Sequence, residues 1–327
     1  MKKSASHFII TLMLAVAMVS CKPAAVLPSA TPALATLTPT VVPILTSTLT
    51  PTATLIPTAT IALPTATITI SHVLIPAGPA KMGELVHDAT SVDTAGEKRA
   101  PYGDSYQINL FERPFLQDMS YVADLDIASY NLAKDDKFYY VSIELVGTNP
   151  NNSIGINYAV ELDTDADGFG DLVIAAHPPY NADWTTTNVQ VAEDTNRDTG
   201  GLSAERSDAP IPGDGYDTLL FDGGIGLGDD PDLAWVRVNA GEKATVQFAF
   251  KRALAEDRFM LGVLADAGIK DFRELDYADR FTPEQAGSPQ TGEDFYPLNL
   301  LFAVDNVCRQ AYGFTGTGEE PRRCPPS

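Results

Sequence analysis

Basic residues are scarce in this chain: Lys and Arg number 22 against 43 Asp and Glu, a formal net charge of −21 over 327 residues. A surface that acidic repels phosphate backbones and anionic headgroups, which argues against nucleic acid as a partner and against a basic membrane patch. Cations are its natural partners. Histidine is sparse too, with four in all, and no His-Glu-x-x-His pair occurs to hold a catalytic zinc. The serine-hydrolase elbow is also missing, since Gly201-Leu202-Ser203-Ala204-Glu205 ends on Glu205 where glycine is needed. No Gly-rich phosphate cradle follows a strand. These absences leave paired carboxylates of the glycoside-hydrolase kind as the catalytic option still open, and they lower the expectation of an enzyme. Long apolar runs are lacking as well: the stretch from Phe8 to Val19 falls short of the roughly 20 residues that cross a bilayer.

That apolar stretch follows Lys2 and Lys3 and leads into small Ser20, the layout of an export signal. The run Met18-Val19-Ser20-Cys21 resembles the lipobox of bacterial lipoproteins, in which the peptidase cuts before the cysteine and its sulfur takes diacylglycerol. Met18 stands where leucine is usual. An ordinary secretory signal with an incidental cysteine is the alternative. Lipidation of Cys21 would tie the chain to the bilayer through acyl chains rather than a transmembrane helix. The expected location is the extracellular face of the bacterial cell membrane.

Charge then vanishes between Lys22 and Lys81, and Thr, Pro and Ala take over, as in Thr50-Pro51-Thr52-Ala53-Thr54. Prolines every few residues remove backbone donors and favour polyproline II, so residues 22–71 are expected to be a disordered Thr/Pro stalk. At about 3.1 Å per residue it could reach on the order of 150 Å. Such stalks are also candidates for O-glycosylation.

Residues 72–327 read as one acidic, all-β domain. Apolar residues alternate with polar ones at Tyr106, Ile108 and Leu110; at Tyr139, Val141, Ile143 and Leu145; from Ile154 to Leu162; and at Ala244, Val246, Phe248 and Phe250. A period of two means strands with one buried and one wet face. Further strands are expected at Phe259–Leu264 and Leu298–Val304. Gly, Pro, Asn and Asp clusters between them indicate an antiparallel sandwich, jelly-roll-like, with long loops. Thr282-Pro283-Glu284-Gln285 carries an N-cap, a first-turn proline and an acid, which predicts one short helix near the C-terminus. Trp235, flanked by Leu233 and Val236, is expected in the core.

The most specific chemical pattern is Asp163-Thr164-Asp165-Ala166-Asp167-Gly168-Phe169-Gly170-Asp171. Calcium takes six to eight hard oxygens, and acids at positions 1, 3 and 5 of a tight loop converge, with glycine at 6 easing the turn. The expected ligands are Asp163, Asp165, Asp167, the Phe169 carbonyl and Asp171. Ile174 at position 12 is not the glutamate of an EF-hand. The competing reading is a solvated acidic turn, since Asp and Gly favour turns anyway. Asp194, Asn196 and Asp198 repeat the spacing as a second candidate, with Arg197 and Thr199 as departures. Asp222, Asp229, Asp230 and Asp232 surround a Gly-rich loop that reads as hydrated surface.

With Cys21 lipidated, Cys308 and Cys324 remain, an even number in an exported chain and an expected disulfide. Tyr180 and Trp184, in a Pro-rich loop, could offer a stacking platform for a sugar, or could cap the edge of the sandwich.

The order Asp126-Ile127-Ala128-Ser129, then Lys137-Phe138-Tyr139-Tyr140-Val141-Ser142-Ile143-Glu144-Leu145, then Tyr158-Ala159-Val160-Glu161-Leu162-Asp163-Thr164-Asp165 resembles family 9 carbohydrate-binding and DOMON-like sandwich domains. The lipobox and stalk also resemble those of surface lipoproteins from filamentous green bacteria. The resemblance implies a tethered binding module, carbohydrate the leading ligand class, with calcium as a structural cofactor. A structural or adhesive surface domain without a small ligand is the alternative.

Overall fold

Two antiparallel sheets face each other across one core in a computed structural model of the chain. The described residues are 70–78, 81–101, 104–107, 110–199, 214–268, 271, 273, 281–318, 320 and 324. The export signal, Cys21 and the Thr/Pro stretch to residue 69 lie outside them. The chain divides into the units Met1–Leu63 and Pro64–Ser327, and everything below concerns the second. Among the described residues no helix is long and apolar enough to cross a membrane.

The smaller sheet runs β1 (Leu85–His87), β3 (Ile127–Lys134), β4 (Phe138–Leu145), β10 (Thr245–Lys251) and β9 (Ala234–Asn239). The larger runs β2 (Glu112–Arg113), β12 (Val304–Asn306), β11 (Phe259–Asp266), β5 (Asn157–Asp163), β6 (Leu172–Ala176), β7 (Val189–Glu193) and β8 (Thr218–Asp222), with β13 (Gln310–Tyr312) also on β11. Local chemistry closes the turns. Between β3 and β4, for example, Asp135 accepts from the amides of Lys137 (2.7 Å) and Phe138 (2.8 Å), an Asx turn that reverses the chain in three residues.

Alternation sets which side chains meet. Tyr139, Val141, Ile143 and Leu145 of β4 and Val246, Phe248 and Phe250 of β10 enter the central core. From the other sheet come Tyr158, Val160 and Leu162 of β5, Leu172 and Ile174 of β6, and Phe259, Leu261 and Val263 of β11. Burying each such side chain stabilises the fold by about 1.5–3 kcal/mol. The sandwich, the long loops and the helix α1 (Pro283–Ala286) agree with expectation, and the structure adds a reciprocal capping box between Thr282 and Gln285.

Three details differ. The outer face of the larger sheet is not wet: Ala159, Val173, Ala175, Ala192 and Leu264 pack beneath Phe111, Tyr216, Phe281 and Leu301. Loops supply that cover, which explains why β6 and β11 read as nearly continuous apolar runs. Tyr106 and Leu110 belong to no strand, and Leu298 to Ala303 precede a strand that starts only at Val304. Tyr106 and Leu301 cover the outer face of the larger sheet, whereas Leu298 packs with Phe115 and Met119 and Leu300 is exposed. Finally, Asp232 is buried, 1% exposed, and accepts from His72 Nδ1 (2.8 Å) and from the amides of Val73 (2.9 Å) and Leu74 (2.8 Å). It fastens the chain where the expected stalk meets the domain. Trp235 is buried as expected, on the outer face of the smaller sheet beside Leu74 and Trp184.

Candidate metal centre

The strand β5 ends at Asp163 and β6 begins at Leu172, so the Asp-rich segment forms the hairpin loop between two central strands. Its first acid organises it. Asp163 accepts from the amides of Ala166 (2.6 Å) and Gly168 (3.0 Å), and Ala166 turns the chain with a φ of 64°. Thr164 then places both its amide and its hydroxyl on Asp171, each at 2.5 Å.

The segment after β7 repeats this arrangement. Asp194 accepts from the amides of Arg197 (2.7 Å) and Thr199 (2.7 Å), and Arg197 has a φ of 63°. Thr195 directs its amide (3.1 Å) and hydroxyl (2.8 Å) to Asp217, which stands where Asp171 stands in the first loop. The loops are neighbours, for the Asp194 amide donates to the Asp171 carbonyl at 3.0 Å. Thr199 therefore does not break the second turn. Asn196 reaches Asp198 and Asp214, both at 3.1 Å.

Two arginines offset part of this charge. Arg197 crosses from the second loop to Asp165 (2.6 Å) and Asp167 (2.8 Å) of the first. Its positive charge, which the sequence assigns to the second loop, thus serves the first. Arg309 is fully buried below; it donates to Asp163 (2.9 Å), to the Phe169 carbonyl (3.4 Å) and to Glu161. Its stem passes Gly262 of β11, where an added Cβ would come within 3.2 Å of the Arg309 Cγ. That glycine lets the arginine lie across the sheet between β12 and β13. Burial pushes Asp163 up to about 6 despite Arg309, and burial also raises Asp167.

Of the five expected ligands, Asp163, Asp165 and Asp171 each offer an oxygen within 4.8 Å of the others, a spacing that hard-cation ligands require. Asp167 faces Arg197, and the Phe169 carbonyl faces Arg309. Tyr180 is buried in the main core, its hydroxyl donating to the carbonyls of Ile156 and Ala176 at 2.8 Å. The Trp184 ring carries the Arg237 guanidinium 4.5 Å from its centre. Neither is an open stacking face, and Tyr180 packs on Tyr158 while Trp184 packs on Tyr140. Cys308 and Cys324 form the expected disulfide.

A second acidic group escapes the sequence pattern altogether. Asp88, Asp104, Glu112 and Asp305 converge, each with an oxygen within 4.8 Å of the others, and Asp126 stands beside them. Burial, reinforced by mutual repulsion, holds Asp88, Glu112 and Asp305 well above the usual carboxylate range, and burial takes Asp104 and Asp126 to about 6. The residues come from four separate segments with no local spacing to betray them. The available signal is a lone acid within a largely apolar stretch, as in Leu301-Phe302-Ala303-Val304-Asp305-Asn306-Val307. Compared with known families, curated proteins and solved structures, the chain matches none.

Proposed function

We propose that this chain is a lipid-anchored surface protein whose β-sandwich is a binding module braced by calcium at its paired Asp loops, with extracellular carbohydrate as the leading ligand class. One observation carries the reading: two adjacent loops share the same turn, built on Asp163 and Asp194, and hold their acids at the rim of one sheet. Repetition of an arrangement that concentrates like charge favours a cationic partner, because a bound cation relieves that repulsion while leaving the carboxylates ionised. Arg197 supplies part of it, yet its side chain is 54% exposed, so an incoming ion displaces it at a cost of about 0–1 kcal/mol.

The test is thermal melting of the exported chain in chelator, calcium and magnesium, for the native protein and Asp165→Ala. Calcium at 100 dissociation constants should stabilise the native chain by about 2.7 kcal/mol. Magnesium should act weakly, since it prefers six ligands at shorter distance. A shift in the mutant as large as in the native chain would remove the loop from the proposal. A glycan array with and without calcium tests the ligand class.

The engagement of Tyr180 and Trp184 favours a second reading, an adhesive or structural surface domain without a small ligand. Silence across the array together with calcium-dependent stability selects that reading.

A further inference from the structure

We propose that Asp88, Asp104, Glu112 and Asp305 form a second, buried binding site for a divalent cation of the calcium class, independent of the Asp loops. Geometry supplies the first support. Glu112 of β2 lies directly opposite Asp305 of β12 in the antiparallel register, and like charges in that position destabilise a strand pair. Both side chains are completely buried. Two ionised carboxylates at that depth are costly unless a cation joins them, and without one the pair is driven to take up a proton.

The hydrogen bonds supply the second support, and it is independent of the clustering. Glu112 uses Oε1 to accept from the Ser91 hydroxyl, while its buried Oε2 has no partner. Asp305 uses Oδ2 to accept from the Ile127 amide at 2.6 Å, while its buried Oδ1 has none. One buried oxygen of Asp88 and one of Asp104 are likewise without a partner. Beside them Asp126 repeats the pattern: Oδ2 takes the Ser91 amide (2.9 Å) and the Tyr121 hydroxyl (2.7 Å), and Oδ1 has no partner. For Glu112 and Asp305, one oxygen is pinned by the protein and the other left bare, which is how a carboxylate is aimed at an ion.

Arg113 offsets part of this charge from a distance, without touching the carboxylates. Arg113, next to Glu112, donates to the Glu112 carbonyl (2.8 Å) and lies 4.9 Å from the centre of the Tyr106 ring. Among the described residues it makes no contact ion pair with the cluster. Ligand oxygens 2.3–2.6 Å from a calcium ion lie at most about 5 Å apart, which the 4.8 Å limit on these four satisfies. Four carboxylates demand at least a dication, and oxygen-only donors select a hard one. Asp88 and Asp104 are half-buried. The ion would join the segment after β1 and the segment around Asp104 to the β2–β12 edge.

The test uses the full chain with the Asp loops disabled by Asp165→Ala and Asp194→Ala, so that failure of the loop proposal leaves this one testable. After chelation, calcium uptake is measured by elemental analysis, and terbium serves as a luminescent stand-in excited through nearby tyrosines. One ion per chain is expected. Glu112→Gln and Asp305→Asn, which keep shape and remove charge, should each weaken binding at least tenfold. Melting gives a readout that survives poor binding of the variants: in chelator they should melt higher than their parent, because repulsion is relieved, and in calcium lower. Absence of calcium and terbium uptake by the loop-disabled parent overturns the site, as does the same melting order in both buffers.

Discussion

The rim loops and the buried cluster are both acidic, yet the chain treats them differently. At the rim, Arg197 and Arg309 meet four of the carboxylates directly. In the buried cluster the fold provides oriented oxygens and, among the described residues, no contact cation, with Arg113 acting only from a distance. The difference teaches where an ion matters. An ion at the rim would compete with the exposed Arg197 guanidinium, whereas an ion in the buried cluster would displace no contact partner among the described residues and would remove a large repulsion. Calcium should therefore dissociate from the rim first as its concentration falls.

The comparison breaks most severely at Arg309. Removing one partner of a buried ion pair leaves the others charged and unsolvated, at a cost of about 3–5 kcal/mol. Arg309→Ala strands Glu161 and Asp163 together. Urea unfolding should show a midpoint well below the native one, with rim calcium restoring part of the loss. A loss under about 1 kcal/mol in chelator would mean that the rim is not balanced by Arg309.

How much of this was legible follows from the range of each interaction. Tyr139, Val141, Ile143 and Leu145 reveal their strand because burial of every second residue is a local pattern. The Thr282 cap and the spacing from Asp163 to Asp171 are local too. The pairing of Cys308 with Cys324 required only counting. The buried cluster was invisible because Asp88 and Asp305 lie far apart in sequence and meet only once both sheets and their edge loops have assembled. The same holds for Arg309, whose partners lie on and beside β5. The segment from Tyr106 to Leu110 differs for the opposite reason: an alternating apolar pattern also suits a loop, and here Tyr106 packs on the outer face of the larger sheet.

A smaller effect sharpens the rim side. The disulfide spans a sequence separation of 16 and begins next to Arg309, whose carbonyl accepts from the Cys324 amide at 2.8 Å. Closing a loop of that length stabilises by roughly 3 kcal/mol on the chain-entropy model, and engineered cases often deliver less. Cys324→Ser paired with Cys308→Ser should lower the melting temperature in chelator and in calcium by the same amount, because the bridge constrains the unfolded chain rather than the ion. A loss confined to chelator would tie the bridge to metal binding instead.

Arg197 gives the smallest expected change in stability and the sharpest test of the contrast. Its contacts to Asp165 and Asp167 are exposed, so in chelator Arg197→Ala should cost only about 0–1 kcal/mol. In calcium that difference should shrink. With the guanidinium gone, Asp165 and Asp167 have no cation of their own, and calcium no longer has to displace one, so the calcium-induced rise in melting temperature should exceed that of the native chain. Arg197→Lys keeps the charge on a flexible stem and should fall between the two. The buried cluster, which Arg197 does not touch, should take up calcium as before in every variant. Equal calcium shifts in native and Arg197→Ala proteins would show that the guanidinium and the ion do not share the rim, and that the two acidic regions are governed alike.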